Sequence, residues 1–436
     1  MMRYLCVGVV CISLCCWGCN NHTVQPFTQN ISASQDETVQ AQGPNKVDIL
    51  WVVDNSASMC EEQASLRDNI NQVVQELDRV GADFQLAVVT TDMTTPGQLG
   101  RFQNQPDGDP GFSCTIAVDV SACPDDLPLI IRSSDARYQD AEGNLDTGKV
   151  QRDFGCNATV GTNGDPFERG LEAAQQALSP ALLSGFNQGF LRDDALLAIV
   201  FVTDENDCSD RGAIDTNLGG NVCEWQSDRL VPVQDYIDAF QALKPNPSQL
   251  ILAAILAPDD GRRYEHPDDV EPSCLTTDAE GNTIGQGYAG YRYTQVLDAF
   301  DASYTSSICN PPFTRALEAI ADLVVDRLST QCLSKPPARC TEQECLLQVE
   351  VQRPVSSGLP TGFTETTERN PTPGTCLLSQ DAQTYRCVLV EGDDYDINPQ
   401  SQRCIDEGAA GTEIVLREEL DTGEQLGVRY PTALGQ

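Results

Sequence analysis

Four stretches of the chain are continuously apolar and too short for helices buried all round. KVDILWVVD (46–54), FQLAVVTT (84–91), LLAIVFVTD (196–204) and LILAAILA (250–257) read as strands covered on both faces. SYTSSIC (303–309) is a weaker strand. Between them the apolar spacing changes to three and four. Leu66, Ile70, Val73, Leu77 and Val80 make one helical stripe, and Phe313, Leu317, Ile320, Val324 and Leu328 another. A third runs through Phe167, Leu171, Ala174 and Leu178, its start marked by Asp165 as N-cap, Pro166 in the first turn and Glu168 three after the cap. Pro232 opens a further helix to about Leu243. Strands alternating with helices predict an α/β fold: a doubly wound, mostly parallel sheet with helices on both faces.

The pattern also divides the chain. Residues 1–19 hold a short apolar run (5–17) behind Arg3, too short to span a bilayer and shaped like a signal h-region. Residues 20–45 are polar without periodicity and read as a flexible tether. The α/β domain occupies 46–333, with a Gly-, Pro- and Asp-rich insertion at about 92–160 expected to be irregular, with at most a hairpin. After SKPPA (334–338) the helical period disappears, and 345–353, 385–391 and 411–419 alternate like strands. Residues 334–436 are therefore expected to form a small disulfide-braced β domain.

Cysteine usage and charge change this picture. Nineteen cysteines without zinc-type spacing beyond the N-terminal segment indicate an exported, oxidised chain. Five lie in the first 19 residues, and Gly18-Cys19 at the end of the apolar run resembles a lipobox, which makes Cys19 the expected lipidation site. The other 14 form an even set. Proximity suggests Cys114–Cys123, Cys208–Cys223 and Cys340–Cys345, then Cys274–Cys309, Cys376–Cys387 and Cys60–Cys156, leaving Cys332–Cys404; proximity alone does not settle connectivity. A formal charge of −38 repels phosphate backbones and excludes nucleic acid as a partner.

The informative string is DNSASM (54–59), directly after the first strand. It sets Asp54, Ser56 and Ser58 two residues apart, all hard oxygen donors, in a loop at the carboxyl end of a strand, where open α/β sheets bind ligands. VGTNGD (160–165) offers Thr162 and VTDEND (202–207) offers Asp204 at the same edge. Two carboxylates, three hydroxyls and water suit Mg²⁺, with Ca²⁺ or Mn²⁺ as alternatives. Two Asp only balance a divalent cation, so it keeps Lewis acidity toward an outside carboxylate. The bland readings are that Ser58 caps the next helix in a Ser58–Glu61 capping box, that Thr162 is a turn residue, and that Asp204 only ends a strand. Asn55, Asp92, Asp207 and Asp210 are expected to be solvated or to stand behind the ligands.

This constellation resembles the von Willebrand factor type A domain and its metal-ion-dependent adhesion site: DNSAS matches that family's DxSxS, Gly161-Thr162 its Thr loop and TDEND (203–207) its distal Asp. The chain also looks like lipid-anchored type A proteins of Gram-negative bacteria, in VTTD, LRDDALLAIVFVTDENDCS and the SIC-containing loop. The resemblance covers about 46–330. It implies a metal-dependent binding module, anchored by lipid in a bacterial envelope (the outer membrane before the inner). Its divalent cation would coordinate an acidic group of a partner protein or glycan. The alternative is an envelope scaffold whose metal only stabilises the fold. Enzyme chemistry is not expected: there is no GxSxG, HExxH or P-loop, only two His, and Ser56 stands where a strand-end phosphatase needs a second Asp.

Overall fold

The computed structural model describes residues 34–37, 46–109, 119–215, 217, 222–244, 249–261, 263, 271–277, 281–332, 340–341, 344–345, 347–368, 370–379, 383–398, 413–416 and 425–431. Its strands are β1 (Lys46–Val53), β2 (Asp83–Thr90), β3 (Ile131–Arg132), β4 (Leu196–Thr203), β5 (Leu250–Leu256), the β6–β7 hairpin (Cys274–Thr277 and Thr283–Gly287) and β8 (Ser303–Ser307). The main helices between and after them are α1 (Cys60–Asn69), α2 (Asn71–Arg79), α3 (Thr147–Ala158), α4 (Gly170–Ala177), α5 (Val233–Gln241), α6 (Tyr291–Leu297) and α7 (Thr314–Ser329). Six of the strands form one sheet in the order β3-β2-β1-β4-β5-β8, parallel throughout except for β3 against β2.

Alternation along the strands builds two cores. Ile49, Trp51 and Val53 of β1 pack with apolar residues of α1, α2, α3 and α7, whereas Leu50 and Val52 pack with those of α4, α5 and α6. Each large apolar side chain buried there contributes roughly 1.5–3 kcal/mol, so a register slip of one residue would exchange the two sets and is strongly disfavoured. One polar residue interrupts β1. Asp48 is fully buried, and Arg192 meets it through the backbone N–H at 2.7 Å and through Nε at 2.8 Å. The same guanidinium pairs with Asp83 at 2.8 Å and donates to the Val47 and Asp83 carbonyls. Arg192 thus ties together the amino ends of β1 and β2.

Several elements differ from the sequence expectations. The stripe from Leu66 to Val80 is two helices broken at Ile70, because the Asn69 amide donates to the Ser65 carbonyl at 2.7 Å while its oxygen accepts from Thr314. The third stripe becomes helical at Gly170 rather than Asp165: the Arg169 N–H goes to the Thr91 carbonyl and the Glu168 carbonyl accepts from Cys208, which holds 165–169 as a strap between loops. The insertion contains β3 and the twelve-residue α3, capped by Asp146 and carrying Val150, Phe154 and Ala158 on its buried face.

Beyond the central sheet, a second six-stranded sheet runs in the order Ser34–Glu37, Gln425–Pro431, Gln348–Pro354, Thr384–Val388, Thr375–Leu378, Thr364–Thr366. Its first member is a correction: residues expected in the tether pair antiparallel with 428–431. Val349, Val351 and Val428 share a core with Ile414 and Leu416 of a three-stranded sheet.

The structure joins Cys208 to Cys223, Cys274 to Cys309 and Cys376 to Cys387. It joins Cys123 to Cys156, which overturns both the Cys114–Cys123 and the Cys60–Cys156 expectations. Helix α3 carries Cys156 to the 119–123 segment, an approach set by tertiary packing that spacing does not encode. Cys60 is nonetheless disulfide-bonded. Backbone pairing sets Cys340 opposite Cys345, but the side chains of Cys332, Cys340 and Cys345 lie outside what is described, as do residues Cys114 and Cys404 and the lipidation candidate Cys19. Among the described residues no helix is long and apolar enough to cross a membrane.

Candidate functional site

The strand order places β1 between β2 and β4, so the chain leaves β1 toward one side and later returns on the other. Their carboxyl ends therefore diverge into a crevice at a topological switch point. Asp54 and Asp204 stand there, one directly after each strand. Register brings Val53 opposite Val202, and the Asp54 N–H donates to the Val202 carbonyl at 3.0 Å.

Each predicted residue can now be placed. The Asp54 carboxylate is fully buried and oriented from two sides: Oδ1 accepts from the Ser56 N–H at 2.7 Å and Oδ2 from the Thr203 hydroxyl at 2.6 Å. The Ser56 and Ser58 hydroxyls lie 3.3 Å apart, and the Ser58 hydroxyl acts against the other influences by favouring the Asp204 carboxylate. Ser58 is exposed and does not cap α1; the N-cap is Met59, which makes no side-chain cap. The capping-box reading therefore fails. Asp204 is buried, and its Oδ1 has no hydrogen-bond partner. Thr162 comes to the same edge because the Gly164 N–H donates to the Asn55 carbonyl at 2.8 Å. Its hydroxyl makes a long contact of 3.4 Å to the Asp109 carbonyl.

Residues that sequence reasoning passed over hold the loops together. Gln63 on α1 donates its amide to the Asp54 carbonyl at 2.9 Å and to the Gly161 carbonyl at 2.8 Å, clamping the first loop to the Thr162 loop. Gly161 has a φ of +78°, and a Cβ there would come within 2.7 Å of the Asp107 carboxylate, so only glycine fits that turn. The Cys208–Cys223 disulfide, packed with Phe167, Ile214, Val222 and Leu230, braces the loop after Asp204. Asp92, Asp207 and Asp210 are all buried rather than solvated. Asp207 accepts from the Leu171 N–H and pairs with Arg292 at 3.0 Å, and Asp210 pairs with Arg169 at 2.8 Å. They anchor the start of α4 and the strap before it. Asn55 is buried as well, its Oδ1 without a partner.

The largest departure is in charge. Asp54 and Asp204 are joined by Glu62 on α1, Glu168 on the strap and Glu205 after Asp204. Burial pushes the Asp54 and Asp204 carboxyls up, and the Asp204 carboxyl is raised further by Asp54, Glu205 and Glu62. Glu205 is pushed up to about 7, first by burial. Glu168 is raised well above the usual range by burial and then by Glu205 and Asp54. Among the described residues none of these five forms an ion pair. Buried carboxylates without a counter-charge are costly, and neutralisation by protons or by cations relieves that cost. The donor set fits a hard divalent cation at Asp54 and Asp204: only oxygen, two carboxylates, neighbouring hydroxyls, and a buried Asp204 oxygen with nothing to bind. Among the described residues no three His, Cys, Asp or Glu side chains are arranged as a metal site, so a cation there would draw on the hydroxyls and water as well.

No family model matches the chain, and no curated protein matches it. Among solved structures, it is similar to proximal thread matrix protein 1 from the mussel byssus at 12% identity and a TM-score of 0.31, over 69% of this chain and 51% of that one. It is similar to the pilus adhesin SpaC from Lactobacillus rhamnosus GG at 11% identity and a TM-score of 0.35, over 89% and 38%. BatB from Bacteroides thetaiotaomicron matches at 12% identity and a TM-score of 0.26, over 65% and 98%. The chain spans about half or less of the first two proteins. At these scores the likenesses carry no argument.

Proposed function

We propose that residues 46–330 form a doubly wound type A-like domain whose carboxyl edge binds an acidic group of a partner protein or glycan through a divalent cation, Mg²⁺ before Ca²⁺ or Mn²⁺. Asp54, Ser56, Ser58, Thr162 and Asp204 would hold the ion directly or through water. The observation that carries this reading is the buried Asp204 Oδ1, partnerless beside Ser58 and across the crevice from Asp54. The exposed Ser58 supports an approach from solvent. The bound cation would supply a Lewis-acidic site for an outside carboxylate; the chain's own residues, Ser56 and Thr203, orient Asp54. We further propose that the chain is a bacterial envelope protein anchored through lipid on Cys19, and that it is not an enzyme.

One observation favours the scaffold reading instead. Glu62, Glu168 and Glu205 stand near the two Asp, and a bound cation that draws protons off these raised carboxyls would spend its charge on them rather than on an outside carboxylate.

The test is capture of partners from envelope extract with and without EDTA, by the full chain and by its Asp54→Ala and Thr162→Ala variants. Chelator-sensitive capture lost in both folded variants is the expected result. Variants that stay folded and keep every partner refute the binding reading. Loss of thermal stability in EDTA with no chelator-sensitive partner establishes the scaffold.

A further inference from the structure

Among the described residues three large apolar side chains are exposed, and two of them lie on the β6–β7 hairpin. Leu275 is 50% exposed and Ile284 47%, while the third, Phe186, stands elsewhere. The hairpin borders the crevice. Tyr288, directly after β7, donates its backbone N–H to the Asp204 carbonyl at 2.7 Å. The Cys274–Cys309 disulfide ties β6 to the loop after β8. A Cβ on Gly287 would come within 2.6 Å of the Ala257 Cβ, so glycine lets β7 seat on the residue that follows β5. The hairpin is thus fixed at the edge where Asp204 ends its strand.

Strand pairing sorts its side chains. Thr276 lies opposite Gly285, is buried, and a Cβ at Gly285 would stand 3.4 Å from Glu62 Oε1, so this face turns toward α1. Leu275 lies opposite Gln286 on the other face, and Gln286 Nε2 donates to the Tyr288 hydroxyl at 3.0 Å. Tyr288, Gln286 and Leu275 therefore make one row leading away from Asp204. Gln286 occupies the phenol oxygen as acceptor, and the Tyr288 O–H donates to no acceptor among the described residues. Burial first, then Glu205 and Asp204, push that hydroxyl above its usual value, so it keeps its proton. The cations Arg169 and Arg292 are already engaged, by Asp165 and Asp210 and by Asp207. A neutral donor is what the row offers to an incoming acid.

We propose that this row recognises a protein partner rather than a glycan, by reading an acidic side chain together with an apolar neighbour in the partner's chain. Tyr288 donates to the carboxylate oxygen that the ion leaves free, Gln286 holds the phenol in place, and Leu275 covers the apolar neighbour. A sugar acid would satisfy Tyr288 equally well, but it would set hydroxyls against Leu275. An apolar side chain there removes hydrocarbon from water on both partners. The inference rests on the proposed function for the ion that receives the acid.

The test is ligand-observed NMR titration of the full chain in saturating Mg²⁺ with three synthetic pentapeptides, Gly-Leu-Asp-Leu-Gly, Gly-Ser-Asp-Ser-Gly and Gly-Leu-Asn-Leu-Gly, and with trigalacturonate. The Leu-Asp-Leu peptide should bind tightest. Tyr288→Phe should weaken both Asp peptides by roughly tenfold, the worth of a hydrogen bond to a charged acceptor, and leave Mg²⁺ affinity unchanged. Leu275→Ser, at an exposed position, should abolish the preference for Leu-Asp-Leu over Ser-Asp-Ser. Asp peptides that need Mg²⁺ and Asp54 but bind alike to wild type, Tyr288→Phe and Leu275→Ser overturn this proposal and leave the proposed function standing. Trigalacturonate binding more tightly than every peptide, whatever stands at 275, overturns the choice of a protein. An Asn peptide that binds as well as its Asp counterpart, with or without EDTA, removes the proposed function and the role of Tyr288 with it. No binding of any peptide overturns the row as a recognition surface.

Discussion

Gln63 offers a sharp test of how the two loops are held, because one side chain bonds two carbonyls on different elements. In Gln63→Leu the volume is nearly kept, so cavity and overpacking contributions stay small. What is lost is the pair of hydrogen bonds to the Asp54 carbonyl at 2.9 Å and the Gly161 carbonyl at 2.8 Å. Gln63 is buried, so neither carbonyl regains water easily. An unsatisfied buried acceptor costs about 1–3 kcal/mol, so two cost about 2–6 kcal/mol, with the lower half expected where loops relax. The assay is urea unfolding of the full chain in EDTA and again in saturating Mg²⁺. If the clamp also sets the spacing between Asp54 and Thr162, Mg²⁺ affinity should fall by roughly 10–100-fold, as for other groups that orient ligands. A stability change below about 0.5 kcal/mol, within the range of ordinary surface substitutions, would refute the clamp. Lost stability with unchanged Mg²⁺ affinity would refute the link to the ion.

Gly164→Ala places a Cβ against the Asn55 side chain, and overpacking of this kind should cost about 1–3 kcal/mol and weaken Mg²⁺ binding, read by thermal unfolding and titration. Arg192→Ala leaves Asp48 buried without its partner and should cost about 3–5 kcal/mol in urea unfolding; a cost near zero would show that Lys244 or water replaces the guanidinium. Glu62 has its carboxyl pushed from 4.5 up to about 7, first by burial. A raised acid stabilises the fold below its unfolded value and loses that contribution as pH rises through the folded one. Glu62 should therefore cost the metal-free protein about 3 kcal/mol between roughly pH 4.5 and 7, beside what the other raised carboxyls cost, and Glu62→Gln should make the slope shallower by that share.

Much of this was legible before any coordinates. Parallel strands buried on both faces must be apolar throughout, so β1, β2, β4 and β5 announce themselves as unbroken runs, and Asp54 and Asp204 as the residues that end two of them. The α3 helix was missed: Asp146 and the four-residue spacing of Val150, Phe154 and Ala158 stand in the sequence, but the turn-forming residues around them concealed the stripe. Other features were beyond reach. The break at Ile70 depends on an Asn69 contact with Thr314, 245 residues away. The Cys123–Cys156 pairing depends on where α3 packs, and the strand at Ser34–Glu37 on a partner at the far end of the chain.

The site divides in the same way. The kinds and spacing of its oxygen donors are local properties, written in DNSAS, in Gly161-Thr162 and in the Asp that ends β4, and the sequence alone determined them. How much charge they share their crevice with is not local. Glu62, Glu168 and Glu205 come from a helix, a strap and a loop that neighbour one another only because the sheet order sets β1 beside β4, and electrostatic energy depends on distance through space, not along the chain. Only the tertiary structure could turn two carboxylates into five.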